Sequence, residues 1–227
     1  MMKYVNEQEK VFVEVEVDYD GYSESPREWD NLWTIYTWER NYGSIDKNNF
    51  SSFREFLLNY FTEKQVRNIE KNAASPKEYF EKLDKYFSKI GCLIAPINRF
   101  EHGNIIYSVG TGSGWDYGVV GIAIVSYEDI KKEYLSENTK MNKSLKDKAF
   151  KELNGELKLY TEWANGNIYC LSLVDFNGDI IDSLGGMFGY DNDDDMIKYY
   201  INSYTNYNFE DFELKEIKKN MSISYSL

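Results

Sequence analysis

Residues 11–17, with the sequence VFVEVEV, alternate strictly between valine and other side chains. Alternation with a period of two is typical of a β-strand that buries one face and leaves the other in water. Two of the intervening positions are Glu14 and Glu16, so the valine face is the one predicted to be buried. The chain must therefore build a sheet, together with a second layer that covers the valine face.

Two segments further along the chain carry the signals of amphipathic helices. In NFSSFREFLLNYF, aromatic and leucine side chains recur at helical spacing, and Ser52 and Glu55 have the spacing of a capping box. In SPKEYFEKLDKYFSKI, Ser75 is placed to cap a helix and Pro76 to occupy its first position. Both segments are predicted to be helical.

The middle of the chain is predicted to form three strands, which are CLIAPI, NIIYSV and YGVVGIAIVS. The third strand carries no charge, which favours a central position in its sheet. A short helix capped by Ser126 and Asp129 follows it. A longer helix is predicted from about 144 to 163, with Gly155 as a point where it bends or breaks.

The C-terminal third returns to β-structure. NIYCLSLVDF and DIIDSLGGMFG are predicted to form a hairpin joined at Asn177 and Gly178, a dipeptide suited to a type I′ turn. A helix follows in DDDMIKYYINSYT, with aspartates at its positive N-terminal end.

These elements predict the α+β class, as a single domain over residues 1–227. Its mixed or antiparallel sheet combines the N-terminal strands, the strands between 92 and 125 and the C-terminal hairpin, with helices packed on one face. A partly helical insertion is expected at about 50–90 and a frayed tail at 216–227.

The chain carries 26 basic and 38 acidic side chains, a formal net charge of −12. Binding to nucleic acid through its phosphates needs a basic patch, so this balance argues against such a partner. The acidic residues gather in blocks near both ends of the sequence. Such blocks are typical of solvated faces that keep a protein soluble, and two blocks that converge in space are the alternative, an acidic surface for a protein partner. The candidate residues of this surface are Glu14, Glu16, Asp18, Asp20, Asp191, Asp193, Asp194 and Asp195.

The sequence offers few groups for catalysis or metal binding. His102 is the only histidine, which excludes a metal site that needs several. The glycine-rich run 110–118 lacks the lysine and the helix of a P-loop. Residues 175–182 alternate oxygen-bearing side chains, but they lack the glycine directly after the third ligand of an EF-hand loop and the glutamate at its end. Cys92 and Cys170 have no metal-ligand spacing. We predict no metal and no cofactor, and we favour a non-enzymatic protein.

A pocket is the alternative. SPRE at residues 25–28 is a helix-start signature that no helical pattern follows, so it predicts a single turn. The capping pattern does not explain Arg27 and Asp30. These two residues form either a buried ion pair, a brace that stabilises the turn, or part of a site. The candidate residues of such a site are Arg27, Trp29, Asp30, His102, Trp115 and Asp116.

Three longer motifs stand out, which are SPREWDNL at 25–32, SGWDYGVVGIAIVS at 113–126 and the segment from YTEWANG to LGGMFG at 160–189. Together they resemble a family of mostly uncharacterised proteins encoded by bacteriophages, prophages and other mobile elements. Trp33 and Tyr117 stand where that family has a glycine and a serine. The resemblance implies an accessory protein and brings no established catalytic residues.

From the resemblance and the charge, we expect a non-enzymatic inhibitor of a host defence system of the CRISPR or restriction type. Its partner is a defence protein or ribonucleoprotein effector, bound through acidic and aromatic surface. No apolar run is long enough to cross a bilayer, so we expect the cytoplasm of the bacterial host and no membrane partner. The alternative is a small-ligand-binding protein or enzyme with a pocket from residues 25–30 and 102–116. The sequence sets no oligomeric state.

Overall fold

The computed structural model of the protein describes residues 2–39, 42–71, 73–112, 117–135, 139–189 and 194–216. Main-chain contacts group the chain into two compact units. The terminal unit comprises Met1–Ser25 and Glu162–Leu227, and the central unit comprises Pro26–Thr161. This grouping does not test the single domain expected over residues 1–227, which stays a prediction.

Within the described ranges the chain forms nine β-strands and six α-helices. The strands are β1 (Met2–Asn6), β2 (Val11–Val17), β3 (Thr34–Thr37), β4 (Cys92–His102), β5 (Asn104–Val109), β6 (Tyr117–Ser126), β7 (Ile168–Asp175), β8 (Ile180–Phe188) and β9 (Glu213–Glu216). The helices are α1 (Phe53–Tyr60), α2 (Glu63–Lys71), α3 (Pro76–Lys89), α4 (Tyr127–Glu133), α5 (Lys143–Asn165) and α6 (Asp194–Tyr204). The predicted α+β class is confirmed.

The terminal unit is built on an antiparallel sheet in the order β8–β7–β2–β1–β9. Val11 and Val13 of the valine face of β2 are buried as predicted, because they pack with Leu173 of β7 in one core with α6. Further along the strand, Val15 is half-buried and Val17 is 42% exposed. Tyr200 of α6 also lies in this core. Its hydroxyl accepts a hydrogen bond from the N–H of Leu173 and donates one to the carbonyl oxygen of Asp182, each at 3.1 Å. A buried polar group is therefore satisfied at the centre of this core.

The central unit is built on a second antiparallel sheet in the order β3–β6–β4–β5. Residues of α5 cover one face of this sheet, and residues of α1, α2 and α3 cover the other. Both faces of the sheet are covered because its strand β6 is uncharged and is buried from Gly121 to Val125. Neither face of such a strand can be left in water. The prediction of one sheet with helices on one face is therefore corrected: the strands fall into two antiparallel sheets, and helices cover both faces of the central one.

The local helix signals are confirmed. The side chains of Ser52, Ser75 and Ser126 each accept a hydrogen bond from the N–H three residues ahead, at 3.1, 3.2 and 3.0 Å. SPRE forms a single 3₁₀ turn at Pro26–Glu28, as predicted. The helix α5 continues through Gly155 without a break.

The hairpin of β7 and β8 is confirmed, but its predicted turn type is wrong. A type I′ turn needs a positive φ at both Asn177 and Gly178, whereas of these two only Gly178 has one, at +96°. The carboxylate of Asp175 organises the turn by accepting the N–H of Asn177 at 2.8 Å and of Asp179 at 2.9 Å. These bonds, above all the one from the Asp179 backbone, lower the pKa of Asp175.

Three short elements had no separate sequence prediction. The first strand β1 and the last strand β9 pair with each other at the edge of the terminal sheet. The helix α2 lies within the insertion that was predicted to be partly helical.

The tail predicted to fray, 216–227, is described only at its first residue. Glu216 ends β9, and residues 217–227 lie outside the described residues.

Two glycines give a matched test of the central unit. A Cβ at Gly121 of β6 would lie 2.1 Å from the carbonyl oxygen of Tyr36, whereas a Cβ at Gly155 of α5 meets nothing within 4 Å. We expect Gly121→Ala to lower the free energy of unfolding by about 2–3 kcal/mol through this clash. Gly155→Ala should raise it by about 0.5–1 kcal/mol through helix propensity. Urea denaturation measures both, and an undisturbed Gly121→Ala protein would contradict the pairing of β3 with β6.

Candidate functional site

Arg27 lies at the centre of a buried ion network in the central unit. Its Nε and Nη2 donate to the two carboxylate oxygens of Asp46, each at 2.8 Å, and its Nη1 donates to Glu156 at 2.7 Å. The same guanidinium donates to the carbonyl oxygen of Trp33 at 2.6 Å and to Oδ1 of Asn31 at 3.0 Å. Only 4% of the Arg27 side chain is exposed. The N–H groups of the Arg27 guanidinium thus donate to acceptors within the protein.

The two carboxylates of this network also bind the backbone of the segment that leads into β3. Oδ2 of Asp46 accepts the N–H of Ile35 at 2.6 Å. Oε1 of Glu156 accepts the N–H of Leu32 at 2.9 Å and of Trp33 at 3.2 Å. The network therefore connects the 3₁₀ turn, the entry to β3, the loop before α1 and the middle of α5.

Burial and pairing act in opposite directions on these charges. Burial raises the pKa of Glu156 by more than Arg27 and the two backbone N–H groups lower it. Burial lowers the pKa of Arg27, but the hydrogen bonds and charges of Asp46, and then of Glu156, raise it overall above the ordinary value of a guanidinium. Arg27 therefore stays charged, and each carboxylate is needed to compensate its burial.

The predicted partner of Arg27 is corrected by this geometry. Arg27 forms a buried brace, but its carboxylate partners are Asp46 and Glu156, while Asp30 is exposed. Trp29 next to it is 46% exposed. The 3₁₀ turn directs Arg27 into the core, and the residues behind the turn remain on the surface.

Asp30 lines a cleft of about 440 Å³ in the central unit. The charged side chains around this cleft are Asp30, Asp129, Lys132, Glu133 and Glu152. They come from the loop before β3, from α4 and from α5, so they were not linked by any spacing in the sequence. The mixture of four carboxylates and one ammonium is a polar cleft without an evident catalytic arrangement.

Of the pocket predicted from residues 25–30 and 102–116, the described candidates Asp30 and His102 do not lie together. At one end of the central sheet, Cys92 of β4 pairs with Ser126, which precedes the α4 residues that share the cleft with Asp30. His102 lies ten positions further along β4 at the tip of the hairpin to β5, a separation of about 33 Å in an extended strand. Asp30 and His102 thus lie at opposite ends of the sheet. Trp115 and Asp116 lie outside the described residues.

Part of the predicted acidic surface has an internal structural role. Glu14 forms an ion pair with Lys3, whose ammonium also lies 4.5 Å from the centre of the Phe12 ring. Asp18 caps the turn behind β2, because its Oδ1 accepts the N–H of Gly21 at 3.0 Å. Its Oδ2 accepts the N–H of Gly186 from β8 at 2.7 Å. Glu16 and Asp20 are exposed.

The described acidic candidates lie on two faces of the terminal sheet. Glu14 and Glu16 alternate with the valines of β2 and so lie on the face opposite α6. Asp194 and Asp195 are at the N-terminus of α6. Asp194 accepts a hydrogen bond from Tyr4, and burial together with this carboxylate raises the pKa of Tyr4 to about 12. The described acidic candidates form two patches, and Asp191 and Asp193 lie outside the described residues.

The net charge is distributed very unequally between the two units. The terminal unit has 19 acidic and 6 basic side chains, whereas the central unit has 19 acidic and 20 basic ones. The whole negative excess of the chain thus belongs to the terminal unit. This contrast was hidden in the sequence because the central unit separates the two parts of the terminal one.

Two exposed tyrosines on α6 were not predicted as candidates. Tyr199 and Tyr204 are 53% and 47% exposed. Their ring centres lie 5.7 Å apart, and the ring planes meet at 72°. They are on the helix that begins with Asp194 and Asp195. With 20 tyrosines in the chain, composition suggested aromatic surface without showing which residues form it.

The described residues lack both a cluster of metal ligands and a membrane-spanning helix. They contain no group of three or more histidine, cysteine, aspartate or glutamate side chains placed to hold a metal ion. No helix among them has the length and apolar character needed to cross a membrane.

No family model, curated protein or solved structure matches the chain. The resemblance to phage and mobile-element proteins therefore stays a prediction.

The Arg27 network gives a second matched test. Lysine has one compact ammonium and cannot replace the planar guanidinium at Asp46, Glu156 and the Trp33 carbonyl together. We expect Arg27→Lys to lower the free energy of unfolding by about 3 kcal/mol, as for other broken buried ion pairs. The control is Arg67→Lys, because Arg67 is 65% exposed and meets Glu63 at 2.9 Å; its effect should stay below about 0.5 kcal/mol. Equal midpoints for the two variants in urea would contradict a structural role for the network.

Proposed function

We propose that the protein is a non-enzymatic inhibitor from a bacteriophage or other mobile element. It binds a defence protein or ribonucleoprotein effector of the bacterial host through its terminal unit. The observation that carries this proposal is the segregation of charge, with 19 acidic against 6 basic side chains in the terminal unit. Such a unit attracts and orients a partner whose own site is basic because it serves nucleic acid.

The exposed groups of the terminal unit suit this kind of partner. Glu16, Asp20 and Asp195 present carboxylates, and Tyr199 and Tyr204 present aromatic rings. An arginine of the partner can pair with one of these carboxylates or stack on one of these tyrosine rings. Tyrosine is also among the residues that contribute most to binding energy at protein interfaces.

The geometry of the central unit supports a structural role for its buried charges. Arg27 is held by Asp46 and Glu156, and Arg99 pairs with Glu39 while its guanidinium lies 4.3 Å from the Tyr42 ring centre. Both guanidinium groups are thus engaged by their own chain. The choice of a CRISPR or restriction effector as the target rests on the resemblance to mobile-element proteins.

Phage plating on defended bacteria tests the proposal. The protein is expressed in a panel of strains that each carry one defined restriction or CRISPR system, and plaques of a phage sensitive to that system are counted. We expect plating to recover at least tenfold in the strain that carries the target. The triple variant Glu16→Gln, Asp20→Asn, Asp195→Asn should lose this recovery, because it removes three exposed charges from the terminal unit.

The control is a triple variant of the central unit, Glu28→Gln, Glu128→Gln, Asp147→Asn, which removes three exposed charges as well. It should inhibit as the parent does. Unchanged plating across the whole panel would overturn the inhibitor function. Equal losses in the two triple variants would overturn the role of the terminal unit.

A further inference from the structure

The strand β4 is longer than the neighbour on its outer side. The pairing of β5 covers Ile97–His102 of β4, and one more bond follows, from the N–H of Gly110 to the carbonyl oxygen of Pro96 at 2.9 Å. On its other side β4 is paired with β6 from Cys92 onwards. Among the described residues, no strand pairs with residues 93–95 on the outer side. The central sheet is therefore incomplete at this edge of β4.

The backbone groups at this edge have a defined direction. In antiparallel pairing, the N–H and C=O groups of successive residues point alternately to the two sides of a strand. The carbonyl group of Pro96 points towards β5, since it accepts the bond from Gly110. Ile94 lies two residues earlier, so its N–H and C=O point to the same side. They face the position where a continuation of β5 would lie.

A cavity of about 580 Å³ lies at this position. Leu93, Ile94, Ala95 and Pro96 line its floor, with Phe80 of α3 and Phe150 of α5 also lining it. The two helices cover opposite faces of the sheet, so the cavity continues the plane of the sheet between them. Its volume is within the range of about 300–1,000 Å³ that is usual for ligand sites.

The charges around the cavity favour an acidic occupant. Lys77, Lys85 and Lys146 outnumber Glu81 and Asp84 among the lining side chains. Lys77 and Lys85 are exposed, so their ammonium groups can meet the carboxylates of a bound chain. A bound strand can pair with the backbone of β4 only as far as Pro96, because Pro96 has no N–H and its carbonyl oxygen already accepts a bond from Gly110.

We propose that this edge binds an extended acidic segment of a partner protein by β-strand addition. The segment pairs with the N–H and C=O of Ile94 and continues towards Cys92. Its side chains alternate, as in any strand, so apolar residues meet Phe80 on one side and Phe150 on the other. Carboxylates at its ends meet the lysines. The site belongs to the central unit and does not depend on the function proposed for the terminal unit.

A displayed library of seven-residue peptides tests this inference with the full-length protein as bait. We expect enrichment of peptides with alternating apolar residues and with aspartate or glutamate near the ends. A synthetic peptide of the enriched sequence is then added, and amide hydrogen exchange is followed by NMR. The exchange of the Ile94 amide should slow at least tenfold, whereas that of Ile106 in β5 should not change.

Charge reversal provides the matched variants. Lys77→Glu with Lys85→Glu should weaken binding of the selected peptide at least tenfold, because both lysines line the cavity. Lys64→Glu with Lys151→Glu changes the net charge equally at exposed positions outside the lining and should keep the affinity within twofold. Unbound exchange of Ile94 in each variant shows whether the fold is intact.

Three results would overturn the inference. One is a library that yields no peptide enriched above selection without the protein. Another is an enriched peptide that protects amides elsewhere and leaves Ile94 unchanged. The third is an equal loss of affinity in the two double variants while the unbound exchange of Ile94 stays as in the parent.

Discussion

The central unit depends on one buried guanidinium. Arg27 enters the core from a 3₁₀ turn and is neutralised by Asp46 and Glu156, which in turn bind backbone N–H groups at the entry to β3. A buried charge without partners is very costly, so the segments that supply these partners must be placed together. The indole of Trp33 is positioned in the same way, by donating to the carbonyl oxygen of Ala149 in α5 at 2.8 Å. The position of β3 relative to α5 follows from these bonds.

The two units differ in physical character, and the proposed roles follow from that difference. The central unit has nearly balanced charge, a sheet buried on both faces and one incomplete strand edge. The terminal unit has a sheet with one helix in its core and about three times as many acidic as basic side chains. Long-range attraction to a basic partner is therefore a property of the terminal unit, whereas backbone pairing is available in the central one.

The local parts of the fold could be predicted because their causes are local. The caps at Ser52, Ser75 and Ser126 need only a residue three positions ahead, and the alternation in β2 needs only its own side chains. The turn at Asn177 shows where such reasoning fails. The dipeptide suggested a type I′ turn, but the carboxylate of Asp175 binds two N–H groups and selects a longer turn in which only Gly178 is left-handed.

The sequence by itself determined the α+β class, most strands and helices, the acidic balance and the single turn at SPRE, because each depends on neighbouring residues or on composition. Only the tertiary structure decided which charges meet. Arg27 pairs with residues 19 and 129 positions away instead of with Asp30, and His102 lies at the far end of the sheet. The structure also divided the strands between two sheets and separated the described acidic candidates into two patches. Pairing over such distances is set by burial and compensation of charge, which no local pattern encodes.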